Sequence, residues 1–204
     1  MKRGSILVVI SLLILPLVYA TNISSCTAIT TSDFYTLNTS LVSSDGNNCI
    51  VISTNNIILN LNGFNVNNAS NNNQAAIRVD SSTINVSIWN GTVNGSYFGI
   101  ILRNSLTVEI RNITALNNSQ AGIYINNSNS SQIITNRATN TTQYGFFVDR
   151  GFNNTLRNNN ASRNRKKSER NKRTRSKNNG SNRRTRTTSS KYSTSNLTRR
   201  KASG

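Results

Sequence analysis

Apolar and polar residues alternate in short runs through residues 49–162. Three of these runs share one spacing: "GIILRNS" begins at Gly99, "GIYINNS" at Gly122 and "GFFVDRG" at Gly145, each 23 residues after the one before. Alternation with a period of two predicts β-strands, because successive side chains of a strand point to opposite faces. Asn, Ser, Thr and Gly lie between the runs, and these residues favour turns.

The repeat holds its phase in several apolar columns. Earlier units follow the same plan at residues 76–93 and 49–66, separated by a longer Asn-rich loop at 67–75. Two or three short strands per unit, each unable to bury its apolar face alone, predict one coil of a parallel β-helix. A low-complexity segment that never folds is the alternative, and the aligned columns argue against it. The columns are Ile100, Ile123 and Phe146; Leu102, Ile125 and Val148; Ile110, Ile133 and Leu156; and Ala115, Ala138 and Ala161.

The two cysteines, Cys26 and Cys49, also lie 23 residues apart. In a β-helix this spacing places them on adjacent coils, with Cα atoms about 5 Å apart, which a disulfide can span. We therefore predict a Cys26–Cys49 disulfide that joins a capping coil, residues 21–48, to the repeats at 49–162. Two free thiols are the alternative, and export would disfavour them.

Residues 1–20 have the layout of a secretory signal peptide. Lys2 and Arg3 precede an apolar run at 5–18, and small residues end at Ala20. The run is short for a bilayer-spanning helix, which needs about 20 residues. We predict an exported protein, secreted or at the cell surface, that meets the membrane only during export. An uncleaved anchor is the alternative.

Residues 122–162 resemble the right-handed parallel β-helix repeats of the NosD-like and pectin-lyase-like proteins, in which G-I-x-L and then N-N-x-I-x-N-N-x-A recur. The front, residues 26–66, is similar to the opening coils of exported archaeal surface β-helix proteins. The resemblance implies an all-β chain forming a right-handed parallel β-helix of about five to six coils. It implies little about function, because the same coils serve lyases, glycosidases, adhesins and structural surface proteins.

Basic residues concentrate at the C-terminal end. Residues 163–204 contain 16 of the 24 Lys and Arg and one acid, Glu169, whereas residues 21–162 contain six Arg and five acids. The apolar columns fail after Ser162, and the tail has only two large apolar side chains, Tyr192 and Leu197. We therefore predict that 163–204 is a basic disordered tail.

The tail has two possible origins. A change of reading frame near codon 163 is the favoured one, because every apolar column ends there together. The alternative is a genuine polycation that holds acidic glycans, anionic lipid headgroups or extracellular DNA by charge alone, without specific nucleic-acid recognition.

The acids of the body are sparse and scattered. Hydrolysis by paired carboxylates needs them about 5–9.5 Å apart, but Asp80 and Asp149 share a column at three coils' distance, about 14 Å. Asp80 is expected to pair with Arg103, Asp33 and Asp45 fall in loops of the capping coil, and the chain has no histidine. The residues predict no catalytic site, no metal site and no cofactor.

One outward column is apolar and aromatic. If Ile100 and Leu102 point inward, Ile101 points outward, and its column contains Arg78, Ile101, Tyr124 and Phe147. A covered surface or simple stacking stability is the favoured explanation. A platform for sugar rings, formed by Ile101, Tyr124 and Phe147, is the alternative.

Asn-x-Ser/Thr triplets, the acceptor motif for N-glycosylation, recur through residues 21–162. They make N-glycosylation a hypothesis that depends on the machinery of the host. The thirteen triplets in 21–162 begin at Asn22, Asn38, Asn68, Asn85, Asn90, Asn94, Asn112, Asn117, Asn126, Asn129, Asn140, Asn153 and Asn160.

The sequence therefore favours an exported, non-catalytic β-helix with a structural role or a role in contacting polysaccharide or cell-surface glycans. One alternative is a truncated polysaccharide lyase or hydrolase whose catalytic coils lay beyond Ser162. The other is polyanion binding through the basic tail.

Overall fold

The computed structural model describes residues 19–69, 73–80 and 82–170. Residues 1–18 of the expected signal peptide and 171–204 of the expected tail lie outside these ranges. The described strands are β1 (Thr21–Ile23), β2 (Thr27–Ile29), β3 (Phe34–Leu37), β4 (Leu41–Ser43), β5 (Ile50–Ile52), β6 (Ile57–Asn60), β7 (Asn65–Asn68), β8 (Ala75–Val79), β9 (Ile84–Asn94), β10 (Phe98–Arg103), β11 (Leu106–Leu116), β12 (Ala121–Asn126), β13 (Gln132–Ile134), β14 (Arg137–Thr139), β15 (Tyr144–Asp149), β16 (Thr155–Arg157), β17 (Asn160–Ser162) and β18 (Lys166–Arg170).

Two parallel sheets wind around one core. Sheet B has the order β18-β15-β12-β10-β8-β5-β2. Sheet A covers two faces, which we call A1 and A2. Face A1 has the order β1-β3-β6-β9-β11-β13-β16. Face A2 contains β4, β7, the second halves of β9 and β11, β14 and β17. Each coil therefore contributes to three faces before the next coil begins.

The register of sheet B fixes the length of each coil. Equivalent residues are spaced 23, 27, 23, 23, 23 and 22 residues apart along the chain, which defines six coils. The predicted all-β solenoid, its 23-residue period and its apolar columns are confirmed. The residues that define the spacing are Thr27, Ile50, Ile77, Ile100, Ile123, Phe146 and Ser168.

Two strands are longer than the alternation predicts. Strands β9 and β11 each contain 11 residues and run from face A1 into face A2. Asn90 and Asn112 lie at the bend, with φ of 63° and 52°. The chain therefore turns this corner within a continuous strand, and the polar residues between two apolar runs do not end it.

The glycine column is required by close packing at one edge of the core. A Cβ on Gly122 would lie 2.7 Å from the carbonyl oxygen of Gly145 and 2.9 Å from Cβ of Ala138. Ala115 and Ala138 are the inward residues of face A2 at this level and are fully buried. Small inward side chains on face A2 therefore bring its backbone close to the start of each sheet B strand.

Asparagine turns the chain at the corners. Twelve of the eighteen described non-glycine residues with positive φ are asparagines. The short polar side chain of Asn tolerates the left-handed region better than most residues. These positions recur with the coil: Asn104 and Asn127 are followed by Arg150, and Asn117 and Asn140 by Arg163. Corner geometry therefore explains much of the Asn content, and the last coil places Arg where earlier coils have Asn.

A second set of asparagines fastens adjacent coils to each other. In the buried Asn136, Oδ1 accepts a hydrogen bond from the backbone N–H of Ile113 at 2.9 Å, and Nδ2 donates to the carbonyl oxygen of Ile110 at 2.9 Å. These bonds satisfy buried backbone groups at bends, where such groups need partners other than a regular strand. We call this arrangement the Asn clamp; the other described examples are Asn154, Asn159 and Asn164.

The first coil is held by the predicted disulfide. Cys26 and Cys49 are bonded, with Cα atoms 4.5 Å apart and a separation of 23 positions in sequence. Among the described strands, β2 pairs only with β5 and has no strand neighbour on its outer side. A covalent bond at this level replaces the packing that interior coils receive from both sides.

Two aspartates organise the loops of the first coil, where the sequence places them. Asp33 accepts a hydrogen bond from the hydroxyl of Thr21 and one from the backbone N–H of Phe34. These bonds hold the pKa of Asp33 below its usual value. Asp45 accepts bonds from the side-chain amide and backbone N–H of Asn47 and from the hydroxyl of Ser43, which lower its pKa to about 2. Both carboxylates are more stable charged than neutral in the folded protein.

The solenoid continues past the boundary expected at residue 163. Strand β18 pairs in parallel with β15, with Lys166 opposite Tyr144. The Asn164 clamp bonds to Thr141 and Ala138 of the preceding coil. Residues 163–170, which the sequence assigned to the disordered tail, are therefore part of the fold. The apolar columns end earlier, but backbone hydrogen bonds and an asparagine clamp extend the solenoid beyond them.

We predict that replacing both cysteines, Cys26→Ser with Cys49→Ser, lowers the free energy of unfolding by about 3 kcal/mol, because the bond closes a loop of this length in the unfolded chain. Urea unfolding at neutral pH is the measurement. Reduction should lower the stability of the native chain to that of the variant and leave the variant unchanged. Equal stability of the oxidised chain and the variant would contradict the prediction.

We predict that Asn136→Ala lowers the free energy of unfolding by about 2 kcal/mol or more, since the backbone groups of Ile113 and Ile110 lose their partner. The matched control is Asn160→Ala, an exposed strand position, where a change within about 0.5 kcal/mol is expected. Thermal and urea unfolding of both variants provide the test. Equal losses of stability at the two positions would contradict the prediction that the hydrogen bonds of the Asn136 clamp stabilise the fold.

We predict that stability declines in acid because of Asp33 and Asp45. Their pKa values are lowered in the folded state, so their contribution is complete above the unfolded value, about 3.9, and is lost as pH falls through the folded value. The midpoint of thermal unfolding should therefore be nearly constant from about pH 7 to 5 and fall between about pH 4 and 2. Asp45→Asn should flatten this fall, whereas an unchanged profile would contradict the assignment.

Candidate functional site

Five aromatic residues form a continuous row on the outer surface of sheet B. Tyr97 precedes strand β10, Phe98 opens it, Tyr124 lies on β12, and Tyr144 and Phe147 lie on β15. They belong to an apolar cluster that is separate from the core of the solenoid. We call this row the aromatic ladder.

The rings of the ladder pack on one another. The ring of Tyr97 meets Phe98 edge-on, with centroids 4.8 Å apart. Phe98 and Tyr124 stack at 5.0 Å, Tyr124 and Phe147 at 4.9 Å, and Phe147 and Tyr144 at 4.6 Å. Successive coils bring equivalent side chains to about 4.8 Å, which suits stacked rings. Phe98 and Tyr144 are buried in this contact, whereas Tyr97, Tyr124 and Phe147 remain partly exposed.

The column expected to point outward is present, but one of its members is inaccessible. Arg78, Ile101, Tyr124 and Phe147 occupy equivalent positions on neighbouring strands, as the sequence predicts. Ile101 is only 1% exposed because it packs in the cluster with Phe98 and its neighbours. Ile101 is therefore not part of an accessible platform, whereas Tyr124 and Phe147 are half-buried.

The sequence analysis did not identify Phe98 and Tyr144 as members of this surface. Each lies one residue before a glycine of the repeat, in a column that also contains Ala121. The alternation is interrupted at Gly99, so Phe98 and Ile101 reach the same outer side of β10. An aromatic residue at the same distance before two glycines of the repeat was the signal that could have revealed them.

Charged and polar groups border the ladder on one side. The hydroxyl of Tyr124 donates to a carboxylate oxygen of Asp149 at 3.4 Å. Arg150 forms an ion pair with Asp149 at 3.6 Å, and its guanidinium donates to the side-chain oxygen of Asn126 at 3.3 Å. Burial raises the pKa of Tyr124, and the charge of Asp149 adds to the effect. Tyr124 is therefore neutral at physiological pH and able to donate a hydrogen bond.

Lys166 closes the ladder at its last ring. Its ammonium donates to the hydroxyl of Tyr144 at 3.0 Å and lies 4.9 Å from the centre of that ring. A cation over an aromatic face is attracted by the ring's electron density. The basic segment that follows the repeats is thus in direct contact with the outer surface of sheet B.

The expected pairing of Asp80 with Arg103 is wrong. Arg78, two residues away on the same side of β8, forms the ion pair with Asp80 at 2.8 Å. Residues two positions apart in extended chain lie about 6.6 Å apart, against about 4.8 Å between adjacent coils, and the long arginine side chain spans the greater distance to the carboxylate. Glu109 lies opposite Gln132 and pairs with Arg111 at 3.0 Å.

Face A1 carries a second aromatic contact. The guanidinium carbon of Arg111 lies 3.9 Å from the centre of the Trp89 ring. Arg111 is thus held between the indole and Glu109, which fixes a planar cation on this surface. Within the described residues, no group of three or more Cys, Asp or Glu side chains is arranged to hold a metal ion.

The glycosylation candidates differ in accessibility. Asn68 is completely buried, and its amide donates to the carbonyl oxygens of Asn47 and Ala75. A glycan at Asn68 is incompatible with this fold, which corrects the expectation for that position. The exposed candidates are Asn22, Asn38, Asn85, Asn90, Asn112, Asn117, Asn140, Asn153 and Asn160, and the partly exposed ones are Asn94, Asn126 and Asn129.

Comparison with known proteins identifies the architecture. No helix in the described part of the chain is long and apolar enough to cross a membrane. No curated protein and no solved structure matches the sequence. A family model described as the right-handed beta helix region matches residues 18–184, which include all six coils. The chain therefore belongs to the right-handed β-helix family.

Proposed function

We propose that this chain is exported and acts outside the cell as a non-catalytic structural β-helix whose outer sheet B surface contacts carbohydrate. The observation that carries the proposal is the aromatic ladder, bordered by Asp149, Arg150 and Asn126. Partly exposed aromatic rings beside planar hydrogen-bonding groups match the two kinds of surface that a sugar presents, its C–H groups and its hydroxyls.

Export is supported by two independent features. The first 20 residues have a charged start, a short apolar run and small residues at the end, a layout typical of signal peptides. The Cys26–Cys49 disulfide is of a kind that persists in oxidising compartments and is rare in the cytosol.

The placement of the acids supports a role without catalysis. Asp80 is paired with Arg78, Glu109 with Arg111, and Asp149 with Arg150. Asp33 and Asp45 are hydrogen-bonded within loops of the first coil. Each of these five acids already has a structural partner, and Asp80 and Asp149 lie about three coils, or 14 Å, apart, too far for paired action on one glycosidic bond.

Binding to immobilised neutral and acidic glycans tests the proposal. We expect Phe147→Ala and Tyr124→Ala to weaken binding at least tenfold, about the effect of removing one anchor of an interface. The matched control is Ile58→Ala, which removes a 45% exposed apolar side chain from face A1 and should leave binding unchanged. Circular dichroism and thermal unfolding confirm that each variant is folded.

The same experiment separates the competing functions. Shortened chains after incubation with uronic-acid polymers would identify an enzyme and overturn the non-catalytic part of the proposal. Binding that disappears with salt and is insensitive to Tyr124→Ala would indicate polyanion contact through the basic tail. Absence of binding to any glycan would leave the solenoid without the carbohydrate role proposed.

A further inference from the structure

Net charge changes steadily from one end of the solenoid to the other. The first coil, residues 27–49, contains Asp33 and Asp45 and no basic residue, whereas the sixth, residues 146–167, contains six basic residues and one acid. The net charges of the six coils in order are −2, 0, 0, +1, +1 and +5. The molecule therefore has an acidic N-terminal end and a basic C-terminal end.

The charged groups at both ends are accessible. Asp33 and Asp45 are exposed in the first coil, and Arg157, Arg163 and Arg165 are exposed in the last. Residues 171–204, which follow the basic end directly, add eleven Lys and Arg and no acid. The two ends are thus complementary in sign, while the coils between them are nearly neutral.

Each end also presents one strand from each of the three faces. At the N-terminal end these are β2 of sheet B, β1 of face A1 and β4 of face A2; at the C-terminal end they are β18, β16 and β17. Among the described strands, each of these six pairs on one side only. An end strand presents a row of backbone donors and acceptors that another parallel strand can pair with.

We propose that the C-terminal end of one copy docks on the N-terminal end of a second copy of this chain, so that the solenoid continues from molecule to molecule. Strand β18 then meets β2 and β16 meets β1, each in parallel, and the basic coil lies against the acidic one. The interface joins two different surfaces, so it leaves a free end of each kind and builds an open chain of subunits. This assembly does not depend on carbohydrate binding.

Sedimentation velocity of the full chain recovered from the expression host, over a range of concentration and salt, tests the proposal. We expect the average mass to rise with concentration at low salt and to return to the monomer at about 0.5 M salt, where charges are screened within a few ångströms. A monomer at every concentration in low salt would overturn it.

Variants at the two ends locate the interface. Ala28→Lys adds a positive charge to the exposed edge strand β2 and leaves Asp33 and Asp45 in place. Arg157→Glu with Arg165→Glu reverses charges on the last coil. Each should weaken association at least tenfold, because like charges meet at the interface. The matched control is Gln132→Lys, an exposed position on β13 along the side of the solenoid, which should associate as the native chain does.

A mixture distinguishes end-to-end docking from any other contact. The Ala28→Lys protein keeps a functional C-terminal end, and the Arg157→Glu, Arg165→Glu protein keeps a functional N-terminal end. Mixed, they should associate at least tenfold more strongly than either variant does alone, because a functional C-terminal end then meets a functional N-terminal end. No gain of association in the mixture, or equal weakening by Gln132→Lys, would refute the proposed interface, and thermal unfolding confirms that each variant is folded.

Discussion

Contact between neighbouring coils is the constraint on which the rest of this structure depends. Strands of three to six residues bury little apolar surface by themselves, and the hydrogen bonds of their backbone run to the coils before and after them. The Asn clamps extend the same dependence to the bends, where a side chain of one coil satisfies the backbone of another. Stability is therefore a property of the stack, and the two terminal coils are the places where it is incomplete.

The composition follows from this constraint. Corners require residues that adopt positive φ, clamps require an amide that both donates and accepts, and asparagine meets both needs with a short, uncharged side chain. Charged residues are left to outward strand positions such as Arg78 and Glu109, where each finds a partner on its own strand. The first coil, whose strands β2 and β4 each pair on one side only among the described strands, is joined to the second by Cys26–Cys49.

Much of the fold could be predicted because the sequence repeats. Residues that stack on one another in adjacent coils recur at a fixed spacing and can be aligned as columns. A spacing of 23 residues was enough to place Ile100 on Ile123 and to pair Cys26 with Cys49. Columns do not show which of two arginines within reach an outward carboxylate takes, so the Arg78–Asp80 pair was missed. They also do not show what covers an outward residue: Ile101 is buried by rings whose positions depend on a break in alternation at Gly99. Residues 163–170 were assigned to the tail because apolar columns say nothing about backbone pairing.

The second coil shows how such a protein tolerates changes in length. It contains four residues more than its neighbours, yet Ile50 and Ile77 remain in register. Strand β7 of face A2 ends at Asn68 and β8 of sheet B begins at Ala75, so this connection contains more residues than the equivalent connections of the coils that follow. Because the strands on either side are undisturbed, this connection is a natural place for evolution to vary a loop, and for an engineer to graft one, without touching the stack that supports it.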